Sequence, residues 1–200
     1  MTDGLDAFRD DLDATFDEVW ARLARGAADR RSGFHTVTLA TTDADGPHAR
    51  TVVLRGVERA TRTLRVHTDA RSPKAGQLAA DPRVEVCAYD GRQKLQIRLR
   101  GLARVEAATG AADAAWRASA PGSRLCYRAA HAPGAALGDP AEGDPSPAIR
   151  AADSETGRPN FRAVLIEVAR IDWLYLAATG HRRAVYAWAG AAWEGGWRAP

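Results

Sequence analysis

Leu5, Phe8, Leu12, Phe16, Val19, Trp20 and Leu23 recur every three or four residues, with acids and arginines between them. That spacing predicts an amphipathic helix over residues 5 to 24, closed by Gly26. Its polar face is rich in aspartate, which suits a helix packed on its own domain better than one lying on a membrane. From residue 34 the period drops to two. Segments 34–42, 49–57, 63–68, 84–89 and 95–105 are short, rich in Val, Leu, Ile and Thr, and separated by turn chemistry such as Asp43-Ala44-Asp45-Gly46-Pro47 and Asp90-Gly91. They read as antiparallel strands. A short helix, 72–80, interrupts them and ends at Asp81-Pro82.

A further helix is expected over 109–119, stopping at Pro121-Gly122. The stretch 129–159 is dense in Pro, Gly, Ala and Asp, has no period, and reads as an irregular insertion or a mobile lid. Strands resume at 161–173, 183–189 and 192–197. Six to eight short antiparallel strands with helices at the joins predict a mainly β chain of the α+β class. The expected architecture is an antiparallel split β-barrel carrying an N-terminal amphipathic helix. No G-x-G-x-x-G follows a strand, which disfavours a doubly wound nucleotide site.

Composition narrows the class. The 200 residues are 46% hydrophobic, 26% charged and 7% aromatic, a globular balance rather than a disordered or collagen-like one. The length predicts a single domain over 1–200, with a core large enough to need no disulfide or metal staple. No long apolar run is present, and the acidic start Met1-Thr2-Asp3-Gly4-Leu5-Asp6 does not resemble a signal peptide, so a cytoplasmic, membrane-free location is expected. The cysteines are Cys87 and Cys126, without C-x-x-C or metal-ligand spacing. Cys87, in the apolar run 84–89, is expected to be a buried, unreactive thiol. The formal charge is +3, but arginines are scattered among the acids with no basic block, so no nucleic-acid partner is expected.

Three segments carry candidate chemistry. Arg71-Ser72-Pro73-Lys74 reads as a helix start, with Ser72 at the N-cap and Pro73 at the first helical position. Lys74 then opposes the helix dipole by roughly 0.3 to 1 kcal/mol, a cost that an anion on the exposed backbone N–H groups reverses. A phosphate site is inferred, against the plainer reading of a lysine reaching into water. Arg50-Thr51-Val52-Val53-Leu54-Arg55 is an apolar strand with an arginine at each end. Alternation sends Arg50 and Arg55 to opposite faces, so one ligand uses both only where the strand bends or the ligand wraps its end. In Gln96-Ile97-Arg98-Leu99-Arg100-Gly101, the residues Gln96, Arg98 and Arg100 share the face away from the core and call for water, a ligand or a second subunit.

In this order, and with the pair His67-Thr68 and the stretch Asp81-Pro82-Arg83-Val84, these segments resemble the pyridoxamine 5'-phosphate oxidase family of FMN-binding split barrels. The resemblance runs from about Gly46 to Glu106 and is weaker over 161–197. It implies FMN as cofactor, with Arg50 and Lys74 on its phosphate and Ser72 and Thr68 assisting. The backbone of Thr51, Val52, Val53 and Leu54 would lie along the flavin edge, with Arg55 and His67 beside it. Gln96 would come from the partner of a homodimer that holds FMN at its interface. Arg55 and Arg182 are the implied contacts to a small-molecule substrate, which for the family's oxidases is pyridoxamine or pyridoxine 5'-phosphate, oxidised by hydride transfer to the flavin.

The chain departs from the family pattern at several positions. Pro73 stands where the oxidases commonly carry Arg, and His67 replaces Tyr. Of the C-terminal pattern His-Arg-x-His-x-Arg, Arg182 fits, while Ala184 and Tyr186 replace the second His and the last Arg. Relatives of similar shape bind the deazaflavin F420 or haem. A non-catalytic flavin-holding or nucleic-acid-binding module is the reading from a different class.

Overall fold

The computed structural model describes residues 7–151 and 153–200; Leu5, the first position of the predicted helix, lies outside them. A 3-10 turn, Ala7–Asp10, leads into helix α1, Leu12–Ala28, whose first turn is capped by the Asp11 carboxylate accepting from Ala14 N at 2.8 Å. The helix does not close at Gly26. It runs on to Ala28, and Gly26 serves packing instead, because a Cβ there would sit 2.5 Å from the Phe34 carbonyl oxygen. His35 Nδ1 donates to the Gly26 carbonyl at 2.8 Å, tying the helix to the first strand.

Nine strands follow where six to eight were expected: β1 Thr36–Asp43, β2 Gly46–Val53, β3 Gly56–Glu58, β4 Thr63–Asp69, β5 Arg83–Asp90, β6 Leu95–Glu106, β7 Phe161–Tyr175, β8 Arg182–Trp188 and β9 Trp193–Arg198. The extra strand arises because the segment expected at 49–57 breaks at Leu54-Arg55 into β2 and β3. Helix α2, Pro73–Ala80, lies between β4 and β5, and α3, Gly110–Arg117, follows β6 with Thr109 as its N-cap. Helix α3 stops short of Pro121, as expected. Pro121 then opens a short helix, α4 Pro121–Arg124, as proline does at a first helical position. The 129–159 stretch has little regular structure: a 3-10 turn Pro140–Gly143, the short helix α5 Pro147–Ala151 and a 3-10 turn Ser154–Asn160.

The hydrogen-bonded order β2-β1-β5-β6-β7-β4-β3 places β2 and β3 at opposite ends of the sheet. Seven strands laid flat at ~4.8 Å spacing would separate those ends by about 29 Å. Leu54 and Arg55 alone connect them, about 11 Å of extended chain. The sheet therefore curls until its edges nearly meet. Leu54 N donates to His35 O and Arg55 N to Arg65 O, so the linker is bonded to both sides of the seam. The result is a split barrel.

β7 is the hub. Its first half pairs with β4, its second half with β8, and β6 runs along its other side throughout. The switch falls at a bulge, where Arg100 pairs with Arg170 but Gly101 pairs with Val168. The strand runs through Gly101 to Glu106, as expected, and Gly101 admits the partner backbone, since a Cβ there would overlap the Glu167 carbonyl oxygen. The barrel is filled by Leu39, Leu64, Val86, Ile97, Ile166 and Trp173, and α1 closes one side with Phe16 packed on Tyr186 and Trp193 at 5.1 and 5.5 Å. A second, smaller core of Trp116, Tyr127, Phe161 and neighbouring alanines joins α3 to β7. Cys87 is not buried: β5 alternates, Val86 and Ala88 take the inner face, and the half-buried thiol faces outward beside Glu85 and Arg98. Partial burial raises its pKa, so it remains a protonated, inert thiol.

Gly101→Ala is expected to lower the unfolding free energy by about 1–3 kcal/mol or more. Gly76→Ala, inside α2 with nothing within 4 Å of the new methyl, should raise it by about 0.4–1 kcal/mol. Urea unfolding of both variants checks the pair, and equal effects would contradict the bulge account.

Candidate cofactor site

The predicted helix start is present: Ser72 is the N-cap of α2 and Pro73 its first residue. The Ser72 hydroxyl does not cap the helix. It donates to the Asp69 carbonyl at 2.7 Å and takes a bond from Thr68 Oγ1 at 2.9 Å, while Lys74 Nζ donates to Thr68 Oγ1 at 3.2 Å. Because each hydroxyl has one proton, the relay runs in a single direction, Lys74 to Thr68 to Ser72 to backbone. Ser72 and Thr68 are both buried, so the ammonium is held at the first turn of the helix rather than extended into water.

Arg50 reaches the same place from β2. It pairs with Leu39 of β1 and shares its inward face, where its guanidinium donates to Thr41 Oγ1 at 2.5 Å and Gln77 Oε1 at 3.0 Å. Thr41 donates to Gln77 Oε1 at 2.6 Å, and Gln77 Nε2 donates to Asp43 at 2.7 Å. Sequence reading did not single out Thr41, Gln77 or Asp43. The signal available was register, since Thr41 is two residues beyond Arg50's cross-strand partner on the same face, and Gln77 is one helical turn after Lys74.

Arg50 and Lys74 are thus both directed to α2, Arg50 through Gln77 and Lys74 from the first turn, and the Arg50 charge is felt at Lys74. Burial pushes the Lys74 pKa down, and the Arg50 charge pushes it down further. Asp69 and Asp43 offset part of these charges without pairing with either cation: Asp69 is gripped by Arg71 at 2.7 and 3.0 Å, and Asp43 is shared between His48 and Gln77. Like charges held together, half-buried, at a helix start without a side-chain cap form an arrangement that a dianionic phosphate relieves. The residues present therefore fit the phosphate tail of FMN.

The other expected site residues are distributed as follows. Val52 and Leu54 face the core with Arg50, whereas Thr51 and Val53 take the opposite face and Arg55 is exposed beyond the strand end. The strand breaks at Leu54-Arg55, so Arg55 lies beyond the alternation that carries Arg50 inward. His67 faces away from Thr68, edge-on to Phe161 at 4.7 Å. Burial foremost, then the charges of Arg65 and Arg55, lowers its pKa to about 3, so it is neutral near pH 7. Gln96 points outward from β6 and is not brought to the Arg50–Lys74 cluster within one chain. Its neighbours Arg98 and Arg100 are held by Asp172 and Glu85 of the adjacent strands, at 2.8 and 3.4 Å. Arg182 pairs with Asp10 at 2.5 Å and contacts no other expected site residue. Ala184 is fully buried, and Tyr186 is core with its hydroxyl donating to Leu12 O at 2.7 Å, so both positions serve packing.

Residues 17–107 match the pyridoxamine 5'-phosphate oxidase FMN-binding domain. The chain is 31% identical over 169 residues to pyridoxine/pyridoxamine 5'-phosphate oxidase 2 of Arabidopsis thaliana, covering 78% of this chain and 83% of that protein. It is 38% identical over 105 residues to the pyridoxine/pyridoxamine 5'-phosphate oxidase of Hyphomonas neptunium, covering 52% of this chain and 46% of that protein, so the match spans about half of that relative. A pyridoxamine 5'-phosphate oxidase-related, FMN binding protein from Nostoc punctiforme superposes with a TM-score of 0.75 at 27% identity, over 92% of this chain and 96% of that one. With a split barrel and these matches, the chain belongs to the pyridoxamine 5'-phosphate oxidase family of FMN-binding proteins.

Proposed function

We propose that this protein is an FMN-dependent oxidoreductase that acts as a homodimer on a small organic substrate. The observation that carries the reading is that Arg50 and Lys74 are both directed to α2, each fixed by hydroxyl or amide partners and neither in an ion pair with an acid among the described residues. Arg50 and Lys74 hold the cofactor phosphate, with Thr68 and Ser72 fixing the lysine. The stretch from Thr51 to Leu54, with Arg55 and His67, would line the place for the ring. Flavin, when bound, would supply two-electron redox chemistry toward the substrate, while the protein supplies binding, orientation and charge. His67, uncharged near pH 7, adds a neutral polar group and no charge.

The homodimer is supported by the outer face of the barrel. Tyr89 and Leu102 are 49% and 55% exposed on neighbouring strands, on the face that also carries Gln96, Arg98 and Arg100. Large exposed apolar side chains among satisfied ion pairs suit burial against a second copy. In that arrangement Gln96 reaches the flavin bound by the partner. Pyridoxamine or pyridoxine 5'-phosphate is the substrate of the named relatives; support for it here is confined to the retained cofactor end of the site.

Two outcomes are expected. Arg50→Ala and Lys74→Gln should each weaken FMN binding at least tenfold, since charge-assisted hydrogen bonds contribute about 1.5–3 kcal/mol. Fluorescence titration of the apoprotein measures this, and unchanged affinity in both variants would contradict the proposed cradle. Leu102→Asp should shift the sedimenting species from dimer to monomer, and a wild type that sediments as a monomer would contradict the proposed assembly.

A further inference from the structure

Two clefts open where the last turns of α1 lie beside the β5–β6 turn, residues 91–94. One, of about 530 Å³, runs along the α1–β1 connection over Ser32, Gly33 and Phe34. The other, of about 730 Å³, runs from the turn to the end of β7 and the segment after it, residues 175–179. They share a wall made of Arg22, Arg25, Arg92 and Gln93, and neither is lined by a residue of the cofactor cradle. The wall is fixed by packing: a Cβ at Gly33 would lie 2.6 Å from the Asp90 carboxyl carbon, so the connection sits directly on the end of β5. Both volumes fall in the range of small-molecule sites, about 300–1,000 Å³.

Charge is unevenly matched along these walls. The acids that line them are engaged: Glu18 pairs with Arg22 at 2.6 Å, Asp29 accepts from the Arg31 N–H at 2.9 Å, and Asp90 accepts from the N–H groups of Arg92 and Gln93 at 2.9 and 3.3 Å. They offset part of the positive charge without pairing with Arg25, Arg92 or Lys94, whose side chains donate to no acid among the described residues. Arg25 and Arg92 line both clefts, and Lys94 lines the larger. Arg9, at the larger cleft's margin, lies over the Tyr175 ring at 3.7 Å. Arg22 is buried beneath them. Burial foremost lowers its pKa, Glu18 holds it up, and the Arg25 charge lowers it again. Lys94 stands at φ +53°, a left-handed conformation that glycine or asparagine adopts at less cost, and its carbonyl accepts from Leu176 N at 3.0 Å, which ties the turn to the far side of the larger cleft. A lysine kept at such a position, on a wall of like charges, points to a use for its ammonium.

Exposed arginines dispersed over a surface are simply solvated, whereas cations that converge on one cleft wall focus a positive field there. Two guanidinium forks and an ammonium, arriving from α1 and from the β5–β6 turn, suit an anion that accepts hydrogen bonds from several directions and carries more than one charge. A single planar carboxylate would be satisfied by one guanidinium, whereas adjacent phosphates engage all three groups. We propose that the paired clefts form a second binding site, separate from the cofactor site, for a small molecule bearing a diphosphate. Arg25, Arg92 and Lys94 grip the phosphates, the buried Arg22–Glu18 pair forms the floor, and the organic part of the ligand lies in the larger cleft against residues 175–179.

The test titrates FMN-saturated protein by calorimetry with inorganic pyrophosphate and, separately, with orthophosphate and citrate. Pyrophosphate is expected to bind one to one, at least tenfold more tightly than either of the others. Arg25→Gln and Arg92→Gln should each weaken it about tenfold or more. Lys94→Gly, which suits the left-handed backbone, should weaken it severalfold while leaving Tm unchanged or raised, so loss of binding there is not loss of folding. Arg31→Gln, whose side chain is 92% exposed and lines the smaller cleft alone, should change nothing. Absence of pyrophosphate binding, indifference to all three wall substitutions, equal binding of citrate, or displacement of flavin by pyrophosphate would overturn the inference. Flavin retained in the same variants keeps the cofactor reading separate. A chain that takes up no FMN overturns that reading alone, and the wall substitutions then decide this one on the protein as purified.

Discussion

Two positive side chains held close together in a half-buried setting oppose the folding of any domain, and here the fold goes to some length to hold them. Lys74 stands in the first turn of α2 against the helix dipole, with its pKa lowered by burial and by Arg50. Arg50 is fixed by Thr41 and Gln77, and Lys74 by a one-way relay through Thr68 and Ser72. Those partners come from β1, β4 and α2, so the cradle exists only once the sheet has curled and the helix has docked. The repulsion it stores is relieved by a dianion, and the cofactor phosphate of the family has that charge.

The rest of the architecture positions this cradle. A two-residue link between strands at opposite ends of the sheet order closes the barrel, and the Arg100–Gly101 bulge lets one long strand pair with β4 and then with β8. The same curl carries Arg50 and Lys74 inward while Gln96 and Leu102 remain on the outer face. Inward and outward positions of the strands thus divide the labour, with the proposed phosphate cradle on the inward side and the proposed dimer face on the outer one.

Much of this was legible in the residues because it is local. Ser72-Pro73 specifies a helix start on its own, the period-two runs specify strands, and Lys74 is conspicuous because its position is electrostatically wrong for an empty site. What sequence did not reveal depends on chains meeting in space. Gly26 looked like a helix end because nothing in the sequence says that Phe34 crosses it. Cys87 looked buried because an apolar run conceals which face each residue takes. Arg98 and Arg100 looked unpaired until register placed Glu85 and Asp172 beside them. Thr41 and Gln77, far apart in sequence and neutral, carried no visible chemistry until both met Arg50.

The claim that the cation pair exists for a dianionic tail is tested most directly by comparing the wild-type apoprotein's affinity for FMN with its affinity for riboflavin, which has the same ring and side chain without the phosphate. With two charged donors on the phosphate at about 1.5–3 kcal/mol each, FMN should bind at least a hundredfold more tightly. Equal affinities would contradict the account, because the ring alone would then explain binding and Arg50 and Lys74 would have no anion to hold.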